Sequence, residues 1–121
     1  MDFDLALIIH EKLFPKATPY SQLTQLNEEL GEYDKAESFA QIKEETGDVV
    51  FVAVSLLRFE ETKHIGKAIL NLFYYSLTDV NRFNVMKYLE KSIDKTKKRV
   101  SEERYKFVEG LYKRSKVNVN V

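Results

Sequence analysis

The stretch Glu45-Thr46-Gly47-Asp48-Val49-Val50-Phe51-Val52-Ala53-Val54-Ser55-Leu56-Leu57 decides how this chain folds. A turn of acidic residues opens directly into the most apolar run of the protein. Read as a helix from about Gln41 to about Phe59, it is apolar nearly all round after Asp48, which marks it as central and buried. The run from Val49 to Leu57 is about half of what a membrane crossing needs, so it reads as core. Asp48 shares a helix face with Val52 and Ser55, pointing inward, with Glu44 and Glu45 on either side. A lone aspartate in that position would be costly to desolvate and would take up a proton.

Working outward, the same helical character holds on both sides. The chain has 121 residues, 44% of them hydrophobic and 31% charged, with four glycines and two prolines. That length is one domain, residues 1–121, able to bury roughly two-thirds of its unfolded surface. Few breakers and much Glu, Lys and Leu predict an all-α bundle of about five helices. The first spans about Phe3 to Phe14, with Leu5, Ile8, Ile9 and Leu13 inward, and Pro15 ends it. Thr18-Pro19 starts the second, whose stripe is Leu23, Leu26, Leu30 and Tyr33, through about Glu37. A fourth covers about Ile65 to Leu77. The last is read as long, about Val80 to Ser115, with Phe83, Met86, Leu89, Ile93, Val100, Phe107 and Leu111 on one side. That length exceeds what a small domain needs internally, so the bundle is expected to be completed by oligomerisation, as a homodimer or homotetramer. The tail Val117–Val121 alternates like a strand but is expected to fray.

Charge and composition exclude several function classes. Lys plus Arg and Asp plus Glu both total 19, so no global field favours nucleic acid. Without cysteine there are no disulfides or thiolate metal sites. Asp2 and Asp4 stand where a secretory leader carries positive charge. A cytoplasmic domain without a membrane partner is the expectation.

The acids form two clusters, Glu28-Glu29-Leu30-Gly31-Glu32 and Glu45-Thr46-Gly47-Asp48. Each holds carboxylates three apart, hence on one helix face. Glu29 and Glu32 fall on one flank of the second helix's stripe, together with Gln25 and Ala36. Either pair alone is a common solvated face. Two pairs on consecutive helices, one entering the core, call for a hard divalent ion. Mg²⁺, or Mn²⁺ in its place, takes oxygen ligands and keeps waters that substrate phosphates can replace. On the last helix Lys91, Lys95 and Lys98 project from nearly one line with Arg99 at its edge. Facing an acidic metal site, such a basic stripe becomes the other half of a polyphosphate clamp.

These residues resemble a family. Glu28-Glu29-X-X-Glu32 followed by Glu45-X-X-Asp48 is similar to the paired EExxE and ExxD motifs of MazG-like all-α nucleoside triphosphate pyrophosphohydrolases. Asp94-Lys95-Thr96-Lys97-Lys98-Arg99 looks like that family's later basic motif. The resemblance covers about Tyr20 to Phe59, and more weakly Lys91 to Val100. It implies Mg²⁺-dependent hydrolysis of a nucleoside triphosphate to the monophosphate and pyrophosphate, in a house-cleaning role against non-canonical or excess nucleotides. It also implies that Glu29, Glu32, Glu45 and Asp48 hold metal, and that Lys95 and Arg99, with Lys91 and Lys98 near, meet phosphates. The water-orienting acid would be Glu45 or Glu28. Some members carry Cys-Pro-Trp-Asp where this chain has Phe14-Pro15-Lys16-Ala17, and relatives often carry an asparagine where Ile93 and Asp94 stand. The helix near 65–77 has no counterpart in a compact member.

Other features weigh less. Glu61-X-X-His64 is one Glu-X-X-His motif where a di-iron bundle needs two, so His64 reads as a surface residue. His10, among Ile8, Ile9 and Leu13, reads as a packing or boundary residue. Ser55 lacks an activating histidine and reads as a core polar group. Phe3, Phe14, Tyr20 and Phe51 are the candidates for stacking on a base, although aromatics at helical spacing are usually core. The competing reading is a non-catalytic helical protein that binds metal or nucleotide and works by assembly.

Overall fold

Every residue from Val49 to Leu56 is buried, and the rest of the molecule is arranged around that segment. The computed structural model describes residues 1–115. Its helices are α1 (Phe3–Leu13), α2 (Pro19–Asp34), α3 (Phe39–Leu56), α4 (Lys63–Leu70) and α5 (Asp79–Ser101). A π-helical turn, Asn71–Tyr75, continues α4, and strands β1 (Tyr105–Val108) and β2 (Leu111–Arg114) follow α5. Helices α1, α2, α4 and α5 all pack on α3. The main core joins Ala6, Val50, Phe51, Ala53, Val54, Leu70, Val85, Leu89 and Ile93, and a smaller one joins Leu26, Val52 and Leu56. The described chain is thus mostly helical, as the composition predicts. None of its helices is long and apolar enough to cross a membrane.

Local chemistry sets the helix starts. Thr18 and Ser21 form a reciprocal capping box, Thr18 Oγ1 accepting from Ser21 N at 3.0 Å and Ser21 Oγ from Thr18 N at 2.8 Å. Pro19, lacking an N–H, costs nothing in the first turn. Ser38 caps α3 by accepting from Gln41 N, so this helix begins two residues before Gln41.

Two expectations need correction. The last helix does not run to Ser115. It ends at Ser101, and Glu103 takes a left-handed φ of 55° that turns the chain back. The antiparallel hairpin that follows pairs Phe107 with Tyr112 and Val108 with Leu111 around Glu109 and Gly110, at φ 54° and 81°. Positive φ at both central residues is what a tight two-residue hairpin turn demands. Phe107 and Leu111, four apart, fit a helical stripe, but alternating Tyr105-Lys106-Phe107-Val108 beside a glycine fits a strand better. The alternating tail Val117–Val121 lies outside the described residues.

The first helix is also rotated from its expected face. Leu5 and Ile8 are exposed, while Ala6 and His10 are buried and Phe3, Leu7 and Ile9 pack against the main core. This helix is apolar on nearly every side, so periodicity alone does not choose its face. Small Ala6, with no exposed surface, sits in the main core beside residues of α3. Phe83 likewise faces out, with Lys87 Nζ 4.6 Å from its ring centre.

Helices α3 and α5 approach closely at Gly47. A Cβ there would collide with the backbone carbonyl of Tyr88. Gly47→Ala should therefore destabilise the fold by about 1–3 kcal/mol through overpacking, against a helix-propensity gain of roughly 1 kcal/mol. Urea unfolding measures it. A variant as stable as the parent would show that the two helices are free to part.

Candidate functional site

The site is built where α2, α3 and α5 meet. Spacing of three on α3 sets Glu45 and Asp48 on one face, and Glu29 on α2 reaches the same point. Ligand oxygens of Glu29, Glu45 and Asp48 lie within 4.8 Å of one another. Glu32 is exposed at the rim, near enough for its charge to act on Glu45. Glu28 is exposed and stands outside the three-carboxylate group.

Asp48 is not the lone buried acid that the sequence presents. Ser92 Oγ donates to its Oδ1 at 2.6 Å and Lys95 Nζ to its Oδ2 at 2.9 Å. Lys95 also donates to Glu44 Oε2 at 3.1 Å. Burial works against the lysine's charge, but Asp48 and the hydrogen bonds to Asp48 and Glu44 outweigh it and hold its pKa above the ordinary value. Each carboxylate oxygen has two acceptor positions, so Asp48 can keep both bonds and still ligate a cation.

Glu29 receives a weaker bond, from Gln25 Nε2 at 3.2 Å. Burial first, then the charges of Asp48 and Glu45, push its pKa up to about 7, with Lys95 and Arg114 opposing. Burial and Asp48 raise Glu45 in the same direction. This donor set of hard oxygens suits Mg²⁺. A cation among them would relieve the repulsion that raises both glutamates.

Two cavities flank the acids. One, of about 70 Å³, is bounded by Glu29 and Asp48, by Gln25, Ser92, Thr96 and Arg99, and by His10, Phe14, Phe51, Tyr105, Tyr112 and Arg114. The other is a groove of about 540 Å³ between Phe39, Lys43, Tyr88, Lys91 and Lys95. Asp48 and Ser92 line both. The basic stripe is thus divided: Lys95 touches the acids, Arg99 faces the small cavity, Lys91 lines the groove, and Lys98 is exposed and borders neither.

Of the aromatic candidates, Phe14 and Phe51 line the small cavity. Tyr20 is exposed, and Phe3 packs on Tyr74 with ring centres 4.9 Å apart. His10 is buried beside Phe14 and Phe51, its ring centre 5.1 and 5.4 Å from theirs. Burial, helped by Arg58, lowers its pKa to about 3, so the ring is neutral. Arg58 can only donate, so His10 Nδ1 accepts from its Nη1 at 3.0 Å. Gln22 Nε2 donates to Ser55 Oγ at 2.7 Å, and Ser55 donates to Val52 O at 2.6 Å, a satisfied core polar group. His64 is exposed.

Sequence reasoning missed Ser92, Tyr105, Tyr112 and Arg114. Ser92 stands on the same α5 face as Lys95 and Thr96 and could have been found there. The other three were hidden by the reading of the hairpin as helix. No family model, curated protein or solved structure matches this chain.

Glu29 and His10 oppose each other in pH. Glu29 binds its proton up to about pH 7 when folded but only to about 4.5, its ordinary value, when unfolded. Its contribution to stability is therefore fully present below pH 4.5 and lost as pH rises through 7. His10, held neutral, contributes above its ordinary value of 6.5, and that stability is lost as pH falls toward 3. Thermal unfolding with chelator present should show Glu29→Gln gaining on the parent as pH rises from 4.5 to 7. A constant difference would mean that Glu29 keeps its solution pKa.

Proposed function

We propose that this chain is a Mg²⁺-dependent nucleoside triphosphate pyrophosphohydrolase of the MazG-like class. The observation that carries this reading is the convergence of Glu29, Glu45 and Asp48 from two helices with Lys95 from a third. Glu29, Glu45 and Asp48 would hold the metal, with Glu32 at the rim. When bound, Mg²⁺ neutralises triphosphate charge and makes water a better nucleophile.

The chain's own residues supply the rest. Glu45, half-buried and with its pKa raised, is better placed than exposed Glu28 to orient water and accept its proton. The water oxygen bonds to the α-phosphorus in line, and the bond from that phosphorus to the α–β bridging oxygen breaks. Pyrophosphate leaves with its charge met by Lys95 and Arg99, while Lys91 lines the neighbouring groove and Lys98 is exposed on the same helix. Ser92 and Lys95 fix the Asp48 carboxylate, so the ligand geometry precedes substrate.

Removal of non-canonical or excess nucleotides in the cytoplasm is the role consistent with that chemistry. Assembly as a homodimer or homotetramer is supported by exposed apolar side chains, Phe39 at 73%, Val80 at 71% and Leu72 at 66%. The same surface also favours the second reading, a non-catalytic metal- or nucleotide-binding assembly protein.

The test is incubation with a panel of canonical and modified nucleoside triphosphates, with and without Mg²⁺. Monophosphate plus pyrophosphate is expected only with the metal. Glu29→Gln and Asp48→Asn should each lower turnover by about 100-fold or more while circular dichroism stays helical. Orthophosphate with diphosphate would place cleavage at another bond. Silence across the panel would leave the binding-protein reading.

A further inference from the structure

The hairpin brings charge and aromatic surface, Arg114, Tyr105 and Tyr112, to the cavity that Glu29 and Asp48 also line. Arg114, at the end of β2, faces the small cavity together with Arg99 of α5. Among the described residues, neither guanidinium has a carboxylate oxygen within 4.0 Å. Asp48 is paired with Lys95, and Arg114 acts on Glu29 only through its longer-range charge, so among the described residues both guanidinium forks keep their hydrogen-bonding edges clear of carboxylates. Two like charges lining one cavity repel, and an anion held between them removes that cost. At the same cavity Phe14 meets Tyr105 and Tyr112 edge-on, at 5.0 and 4.9 Å between ring centres.

The geometry points to Arg114 as a polyphosphate-binding residue that the hairpin supplies, acting with Arg99 across the cavity. The hairpin is then the substrate-recognition roof of the candidate site. This rests on the proposed hydrolase reading for the nature of the anion, though not for its charge. A guanidinium fork holds two phosphate oxygens at once, which a lysine cannot. The hairpin is fixed at the cavity by Lys16 N donating to Tyr112 Oη at 2.8 Å and by the ring contacts with Phe14.

The experiment is calorimetric titration of the full chain with inorganic tripolyphosphate in Mg²⁺, for the parent, Arg114→Gln, Arg114→Lys and Lys113→Gln. Lys113 is exposed on the same strand and controls for general charge. Arg114→Gln should weaken binding about tenfold, and Lys113→Gln by less than about twofold. Arg114→Lys should recover part of the loss. Equal effects of Arg114→Gln and Lys113→Gln, no effect of either, or no binding by the parent would each overturn the inference. Pyrophosphate release by the same variants separates the two proposals. Arg114-dependent binding in a chain without turnover keeps the roof and removes the hydrolase. Turnover with KM and kcat unchanged in Arg114→Gln removes the roof and keeps the hydrolase.

Discussion

The contact on which the rest depends is the backbone approach of α3 to α5 at Gly47, against Tyr88. A side chain at this position would hold the helices apart. Ser92 and Lys95 lie one and two turns beyond Tyr88 on α5, and Asp48 is the next residue on α3. The approach therefore sets the 2.6 and 2.9 Å bonds that hold the Asp48 carboxylate. Hydrogen bonds of this charged kind weaken steeply with distance and angle. A glycine chosen for packing thus also fixes the electrostatics of the neighbouring acid.

Much of the helical architecture was legible because its signals were local. Thr18-Pro19 marked one start, and the apolar run after Asp48 marked the central helix. Where the fold departed from expectation, the residues carried two patterns at once. Leu5 and Ile8 lie on a helix apolar on most sides, so only packing could choose the buried face. Phe107 and Leu111 satisfy a helical stripe and a strand alternation, and the left-handed backbone at Glu103 and Glu109 has no strong residue signature. Glutamate is an unusual occupant of that region.

At the candidate site the convergence of Glu29, Glu45 and Asp48 follows from spacing on two helices. The division of the basic residues does not. Lys91, Lys95 and Lys98 share a line on α5, yet the neighbouring elements give each a different environment. Helical spacing tells which side chains point together, while tertiary packing decides what they meet. The partners of Asp48 belong to this second kind of information, since Ser92 and Lys95 are far from it in sequence.

Glu103 and Glu109 have a consequence beyond topology. Each holds a non-glycine residue in the left-handed region, at a cost of about 1 kcal/mol or more. Glycine or asparagine at either position would relieve that strain. One lies at the hinge between α5 and the hairpin, and the other at its tip. Stability that two substitutions could recover is therefore missing from the one β element of the described chain, whose resistance to local opening is lowered by the same amount.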